Sequence, residues 1–346
     1  MNAARVSGEG SALGPVVVHG ATFGALFPGQ LSEKAGMGEA LAARYPYVSS
    51  SFEEIFRRSG VRIADTFFGT GSLSLHADRP AQVGVFAVSL AALEVLRREH
   101  SLVPDGVCGY SLGTYAAFVA AGCLSRDAAL DVLLEAGRLL AEGKRAGDFE
   151  GTMGFVIGLG RPDVEQALAG VCPDTSRLSI ATENASAQFV LTGETDLVEE
   201  AVELLRPRAL KAEMLPIGFP MHSRALESVT EKLKMFLEGG VRLAQPERPL
   251  FAPMLGRRVA NGEEAAYVLS KQVSRPSLFS PTLMAMSAFG IHRYAEVGPG
   301  DVLTRLVRWT LRDAIVARPA LERPEDVAVF AATVAPAPGP RPVGAV

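Results

Sequence analysis

The segment VCGYSLGTYAAF, residues 107–118, decides the fold of this chain. Its apolar start predicts a short strand, its Ala-rich end predicts a helix, and Gly-x-Ser-x-Gly joins the two. Gly109 and Gly113 lack Cβ atoms, so the chain can turn tightly there and present the Ser111 hydroxyl. This placement predicts a nucleophilic serine. The pattern alone leaves open an ordinary strand-to-helix turn with a capping serine.

Strands and helices alternate on both sides of this segment. Upstream, residues 16–18 and 21–27 predict a strand that ends at Pro28-Gly29-Gln30, and helices are predicted over residues 34–44 and 78–97. A capping-box pattern from Ser51 to Glu54 predicts the start of a further helix. Downstream, Ser125 is predicted to cap a helix that ends near residue 142. This alternation indicates an α/β domain.

A small separate unit is predicted at residues 150–216. Its pattern reads strand, helix, two strands, helix and strand, which is the ferredoxin-like order. Because the chain on both sides continues one α/β domain, we predict a discontinuous hydrolase-like catalytic domain at residues 16–149 and 217–330, interrupted by this ferredoxin-like subdomain. Residues 1–15 and 331–346 are predicted to be flexible tails. Inserted domains commonly leave a cleft at their junction.

Composition excludes several classes of function. The 346 residues are 48% hydrophobic with a net charge of −4 and no basic block, so neither nucleic acid nor a membrane surface is an expected partner. The apolar run at residues 83–93 is too short to span a bilayer, and the N-terminus lacks a signal-peptide pattern. Cys108, Cys123 and Cys172 lack metal-type spacing and indicate reduced core thiols. We expect a cytoplasmic protein without metal or cofactor.

A serine nucleophile requires a general base, and histidine is the usual one. The chain has five histidines, at positions 19, 76, 100, 222 and 292. His222 follows the exit of the small unit, so its place at the predicted cleft makes it the candidate. No acid partner can be selected from the residues, which leaves a Ser-His dyad and a triad equally open. An ordinary α/β-hydrolase that uses His19-Gly20 for the oxyanion and His292 as base is the competing hypothesis.

Seven short motifs in order resemble one known family. They are Phe27-Pro28-Gly29-Gln30, Gly36-Met37-Gly38, Ala81-Gln82, Gly109-Tyr110-Ser111-Leu112-Gly113, Asn184-Ala185-Ser186-Ala187-Gln188, Met221-His222-Ser223 and Glu296-Val297-Gly298-Pro299-Gly300. The series resembles the malonyl-CoA:acyl-carrier-protein transacylase and polyketide synthase acyltransferase family from about residue 22 to 312. The resemblance implies a hydrolase-like α/β domain with a ferredoxin-like insertion, the fold that the order of elements also predicts.

The resemblance also implies roles for individual residues. Ser111 would accept an acyl group from a thioester, with His222 as its base. The backbone N–H groups of Gln30 and Leu112 would form the oxyanion hole. In this family a main-chain carbonyl orients the histidine, and Gln272 stands at that place. Acyl groups would then pass from a pantetheine thioester to a second thiol by ping-pong kinetics.

Further matches and departures concern the acyl pocket. Gln82 and Asn184 match pocket positions of the family, whereas Tyr110 replaces a usual histidine and Met221 a usual phenylalanine. Members that handle malonyl groups carry an arginine directly before a glycine in the helix after the serine, and here Ala136 precedes Gly137. A buried malonyl carboxylate without a cation would cost several kcal/mol, so an uncharged acyl group is expected.

The resulting hypothesis is a serine-dependent acyltransferase in polyketide or fatty-acid biosynthesis. It would move a non-carboxylated acyl group, acetyl or larger, from coenzyme A or a carrier protein to an acyl carrier protein. Three alternatives stay open: an acyl-carrier-protein hydrolase that uses the same acyl-serine, a malonyl transacylase with a different carboxylate partner, and a scaffold with a relic site. The residues do not select the acyl chain length, the carrier protein or the oligomeric state.

Overall fold

The computed structural model describes residues 23–68, 78–317 and 320–334. The predicted strand at residues 16–18, the tail at 1–15, His19 and His76 lie outside these residues. The described strands are β1 (Gly24–Phe27), β2 (Gly106–Gly109), β3 (Thr152–Ile157), β4 (Leu178–Ala185), β5 (Gln188–Gly193), β6 (Lys211–Met214), β7 (Leu250–Ala252), β8 (Arg257–Arg258), β9 (Ser277–Leu278), β10 (Arg293–Glu296) and β11 (Ile315–Val316).

Thirteen α-helices accompany the strands in the described part of the chain. They are α1 (Glu39–Arg44), α2 (Pro46–Ser59), α3 (Ile63–Phe67), α4 (Asp78–His100), α5 (Thr114–Ala120), α6 (Arg126–Ala146), α7 (Arg161–Val171), α8 (Thr195–Leu205), α9 (Glu227–Glu238), α10 (Gly262–Lys271), α11 (Phe279–Ala288), α12 (Val302–Thr310) and α13 (Pro324–Val334). Helix α4 is long and apolar enough to cross a membrane, but 78% of its most apolar stretch is buried inside the protein. That burial is typical of a core helix.

The large sheet has the strand order β11-β10-β1-β2-β7-β8 and is parallel except for the β7–β8 pair. Its central strands β1 and β2 are fully buried, as parallel strands covered on both faces must be. Phe27 pairs with Gly109, so the two strands end side by side. The loops that carry Gln30 and Ser111 therefore leave the same edge of the sheet, where α/β proteins bind ligands.

The small sheet has the order β6-β3-β5-β4-β9, and the pairs among β3, β4, β5 and β6 are antiparallel. With α7 and α8, these four strands form the ferredoxin-like β-α-β-β-α-β unit, and the predicted fold class is confirmed. One strand differs from the prediction, which assigned residues 217–330 wholly to the large domain. Strand β9 pairs in parallel with the outer edge of β4, because that edge would otherwise leave backbone groups unpaired.

The predicted C-terminal tail is wrong at its first four residues. Helix α13 continues to Val334, because Val327, Phe330 and Val334 bury their side chains in the core. The Phe330 ring also meets Phe23 edge to face at 5.2 Å between ring centroids. Residues 335–346 lie outside the described chain.

Candidate active site

Ser111 occupies the sharp turn between β2 and α5. It has a positive φ of 50°, a conformation that costs a non-glycine residue on the order of 1–3 kcal/mol. A Cβ on Gly109 would lie 2.3 Å from the carbonyl oxygen of Gly113, and a Cβ on Gly113 would lie 2.0 Å from that of Phe27. Both glycines are thus required by close backbone approach, and the strained turn points the Ser111 hydroxyl out of the sheet edge.

His222 lies within hydrogen-bond distance of this serine. The Oγ atom of Ser111 is 2.9 Å from Nε2 of His222. The histidine is 5% exposed and also has a positive φ of 61°. Its backbone N–H donates to the carbonyl oxygen of Val273 at 2.7 Å, which fixes the chain on which the ring is mounted.

Two main-chain carbonyls hold the other ring nitrogen of His222. Nδ1 lies 2.9 Å from the oxygen of Gln272 and 3.2 Å from the oxygen of Arg275. Since carbonyl oxygens only accept, Nδ1 carries the proton and Nε2 is free to accept from the Ser111 hydroxyl. No carboxylate contacts the ring among the described residues. The geometry is that of a Ser-His dyad oriented by the backbone, which the residues alone had left open.

Burial sets the protonation state of His222. Loss of hydration disfavours the imidazolium and lowers the histidine pKa below its ordinary value, although the two carbonyl hydrogen bonds oppose this shift. The ring is therefore neutral at pH 7, the state in which it can accept a proton.

A cavity of about 120 Å³ opens beside Ser111 at the junction of the two domains. Seven other predicted site residues line it together with Ser111 and His222: Gln30, Gln82, Tyr110, Leu112, Ala136, Met221 and Gln272. Its apolar walls come from both domains: Leu133 and Leu140 from α6, Met153 and Val190 from the small sheet, and Leu215 and Ile217 after it. None of the described lining residues is Asp, Glu, Lys or Arg.

Gln30 leaves the end of β1 and faces the cavity beside Leu112. The next residue, Leu31, has a positive φ of 73°, and its N–H donates to Oε2 of Glu33 at 2.7 Å. The Ser32 hydroxyl donates to the carbonyl oxygen of Gly29 at 2.6 Å. These bonds fix the loop that the resemblance assigns to the oxyanion hole.

Ala136 is 4% exposed and faces the cavity from α6. A Cβ on Gly137 would lie 3.2 Å from Oε1 of Gln82, so α4 and α6 approach closely at this level. Arg138 points away: its guanidinium donates to Glu135 at 2.6 and 2.7 Å and also pairs with Glu142. The cation nearest to Ala136 in sequence is therefore engaged on the protein surface.

The structure corrects the predicted position of Asn184. This side chain is buried but is not among the residues that line the cavity. Tyr110 lines the cavity in front of Asn184, and the Tyr110 hydroxyl donates to Oδ1 of Asn184 at 2.9 Å. Burial raises the pKa of Tyr110, so the phenol keeps its proton and this hydrogen bond persists. Asn184 supports the cavity wall through Tyr110 and does not form it.

The competing base, His292, precedes β10 and does not line the cavity. Its backbone carbonyl accepts from Ile315 in the strand pairing at the far edge of the large sheet. Arg275 is a further residue of the site, and no motif in the sequence predicts it. Its contribution is a backbone oxygen, which leaves no signal in the residue type.

The acyl transferase domain family matches residues 25–335. This chain belongs to the acyl transferase domain family. It is therefore an enzyme of the acyltransferase class, and the resemblance drawn from the motif series is confirmed.

Individual relatives agree with this membership. The chain is 29% identical to the malonyl CoA-acyl carrier protein transacylase of Bacillus subtilis over 82% of its own length and 88% of that protein. It is 30% identical to the polyketide biosynthesis protein ThaF of Burkholderia thailandensis over 92% of its length, but spans only 26% of that longer protein. Among solved structures, a malonyl-transacylase in complex with a type II polyketide synthase acyl-carrier protein matches with a TM-score of 0.83 and 25% identity, covering 90% of this chain and 100% of that one.

Proposed function

We propose that this acyltransferase moves an uncharged acyl group, acetyl or larger, from a pantetheine thioester to an acyl carrier protein through an ester on Ser111. The donor would be acyl-CoA or another acyl carrier protein. The observation that carries the substrate class is the cavity, which has no charged side chain among its described lining residues. A malonyl carboxylate buried there would lack a partner, at a cost of several kcal/mol.

The first half-reaction uses the dyad. His222 Nε2 takes the proton of the Ser111 hydroxyl as Oγ bonds to the thioester carbonyl carbon. The N–H groups of Gln30 and Leu112 stabilise the oxyanion of the tetrahedral intermediate. When the C–S bond breaks, His222 returns its proton to the departing thiolate, and the acyl group stays on Ser111 as an ester.

The second half-reaction reverses these steps with another thiol. His222 deprotonates the pantetheine thiol of the acceptor, whose sulfur attacks the ester carbonyl carbon. The Ser111 oxygen leaves and regains its proton from His222. The Gln272 and Arg275 carbonyls hold Nδ1–H throughout and stabilise the imidazolium of each intermediate.

An acyl carrier protein is the proposed acceptor because the names of two matched proteins include an acyl carrier protein. The relative from Bacillus subtilis is a malonyl CoA-acyl carrier protein transacylase, and the solved complex pairs a transacylase with its carrier. The match to a polyketide biosynthesis protein supports a place in polyketide or fatty-acid assembly. A cytoplasmic location of the enzyme agrees with the activities for which these relatives are named.

Ala136→Arg is expected to shift the acyl preference toward malonyl. Wild-type enzyme should load acetyl faster than malonyl, because the described lining of the cavity has no guanidinium group that could pair with a carboxylate. A charge-assisted bond of about 1.5–3 kcal/mol from the new arginine would raise the ratio of malonyl to acetyl loading by about 10- to 100-fold. Initial loading rates with the two acyl thioesters, followed by intact-mass spectrometry, measure this ratio.

Ala136→Met is the matched control, because it adds comparable bulk without charge. It should slow the loading of both acyl groups and leave their ratio near the wild-type value. A wild type that loads malonyl in preference to acetyl would overturn the substrate assignment and favour the malonyl transacylase alternative.

A further inference from the structure

Within the described part of the chain, the backbone of residues 272–275 supplies the main-chain acceptors that hold His222. The oxygens of Gln272 and Arg275 accept from Nδ1, and the oxygen of Val273 accepts from the backbone N–H of His222. The first three of these residues form a single 3₁₀ turn after α10. The orientation of His222 therefore depends on whatever fixes this turn and the residue that follows it.

One carboxylate binds the side chains around this turn. Oε2 of Glu227 accepts from Arg275 at 2.5 Å and from the Ser274 hydroxyl at 3.2 Å. Its Oε1 accepts from Lys271 at 2.5 Å and from the second guanidinium nitrogen of Arg275 at 3.2 Å. Glu227 therefore engages three of the five residues from 271 to 275, on both sides of Gln272 and Val273.

Glu227 also begins α9, only five residues after His222. The same side chain thus ties the segment that carries the histidine to the turn that orients it. His222 has a positive φ, and a strained residue keeps its conformation only where its surroundings fix it. The hydrogen bond from Arg275 has the largest effect on the Glu227 carboxylate and lowers its pKa to about 2, so this group stays charged at neutral pH.

Glu231 provides an internal comparison. It lies one turn further along α9 and pairs with Lys271, as Glu227 does. Among the described residues, its carboxylate hydrogen-bonds to neither Ser274 nor Arg275. Removing Glu231 therefore changes the charge near Lys271 but leaves the turn attached to Glu227.

We propose that Glu227 is a positioning residue that orients His222 through the main-chain oxygens of residues 272–275. It takes the place of a triad carboxylate without touching the imidazole. The inference rests on the proposed role of His222 as general base. In this proposal, the Ser111–His222 dyad is supported by a backbone turn whose side chains form ion pairs with Glu227.

Glu227→Gln tests the proposal against Glu231→Gln as its matched control. Misplacement of a general base by about an ångström can cost about 10²-fold, so acylation of Glu227→Gln at saturating acetyl thioester should fall about 10- to 100-fold with KM unchanged. The Nδ1–H proton of His222, observed by ¹H NMR in the enzyme without substrate, should broaden and exchange faster. Glu231→Gln should keep the wild-type rate and signal, and Glu227→Asp should recover part of both.

Arg275→Lys serves as a second variant in case Glu227→Gln does not fold. It retains the charge and the backbone oxygen of residue 275 but loses the two-point contact with Glu227. The same losses, smaller in size, are expected at an unchanged melting temperature. Wild-type rate and NMR signal in either folded variant would overturn the proposal, as would equal losses in Glu231→Gln. Failure of the proposed function would instead appear as a wild type that forms no acyl-enzyme, while the NMR comparison would still test the positioning.

Discussion

Replacing Ser111 with alanine should abolish acyl-enzyme formation. No other hydroxyl among the described residues occupies a strained strand-to-helix turn 2.9 Å from a buried, neutral histidine. In such a unit, loss of the nucleophile lowers the rate by about 10⁶-fold. Any residual acylation would therefore lie far below the level that intact-mass spectrometry can detect. The measurement is the mass of the protein after incubation with acetyl thioester, followed by peptide mapping of the adduct.

Ser223→Ala is the control for this substitution. Ser223 is a buried serine directly after His222, but its hydroxyl donates to the carbonyl oxygen of Pro220 at 2.6 Å. Its removal should leave the acyl adduct in place. A full adduct on the Ser111→Ala protein, mapped to another residue, would end the assignment of the nucleophile.

His222→Ala should lower the acylation rate by about 10²-fold or more, because the Ser111 hydroxyl loses its proton acceptor. The expected loss is in the rate at saturating thioester, since the ring faces the hydroxyl and leaves the apolar walls of the cavity intact. Stopped-flow acylation with acetyl thioester measures the rate, and circular dichroism checks the fold.

The pH dependence of the wild-type acylation rate provides a second test of the role of His222. His222 must be neutral to act, so the rate should fall as the pH drops through the histidine pKa, which burial lowers from 6.5. This acid limb should be absent from the His222→Ala variant. His292→Ala is the control and should retain both rate and pH profile. If His292→Ala were instead the inactive protein, the ordinary α/β-hydrolase hypothesis would replace the present one.

Several elements that the sequence predicts correctly are long enough to show a period. The small domain is the clearest case: β3, β4 and β5 have six to eight residues each, and α7 and α8 have eleven. The two-residue strand β9 is too short to alternate, and only its neighbour β4 makes it a strand.

The capping box at Ser51 shows how tertiary packing overrides a local pattern. Helix α2 begins five residues earlier, where Pro46 occupies the first turn. Ser51 lies inside the helix, buried, and accepts a hydrogen bond from Arg126 at 3.2 Å. The sequence shows a serine with a glutamate three residues later, but it does not show that α6 packs against this face.

The site was predictable where a motif fixes a side chain and unpredictable where the backbone acts. The predicted cleft brings Ser111 and His222 together, because the motif turn and the exit of the small domain meet at one sheet edge. The oxygen of Arg275 belongs to no motif, since every residue type offers the same carbonyl. Asn184 was assigned to the cavity from its motif alone, and the motif does not show that Tyr110 lines the cavity and hydrogen-bonds to Asn184 behind it.

The fate of acetyl-Ser111 enzyme tests the central claim of acyl transfer most directly. Enzyme preloaded with acetyl thioester and freed of excess donor is mixed with holo acyl carrier protein, with apo carrier protein that lacks the pantetheine thiol, or with buffer alone. Intact-mass spectrometry follows the loss of the adduct from the enzyme and its appearance on the carrier. We predict that the enzyme empties much faster with the holo carrier than in the other two mixtures, and that the carrier gains the acetyl group. Equal rates of emptying in all three mixtures, with no acetyl group on the carrier, would contradict acyl transfer and favour the hydrolase.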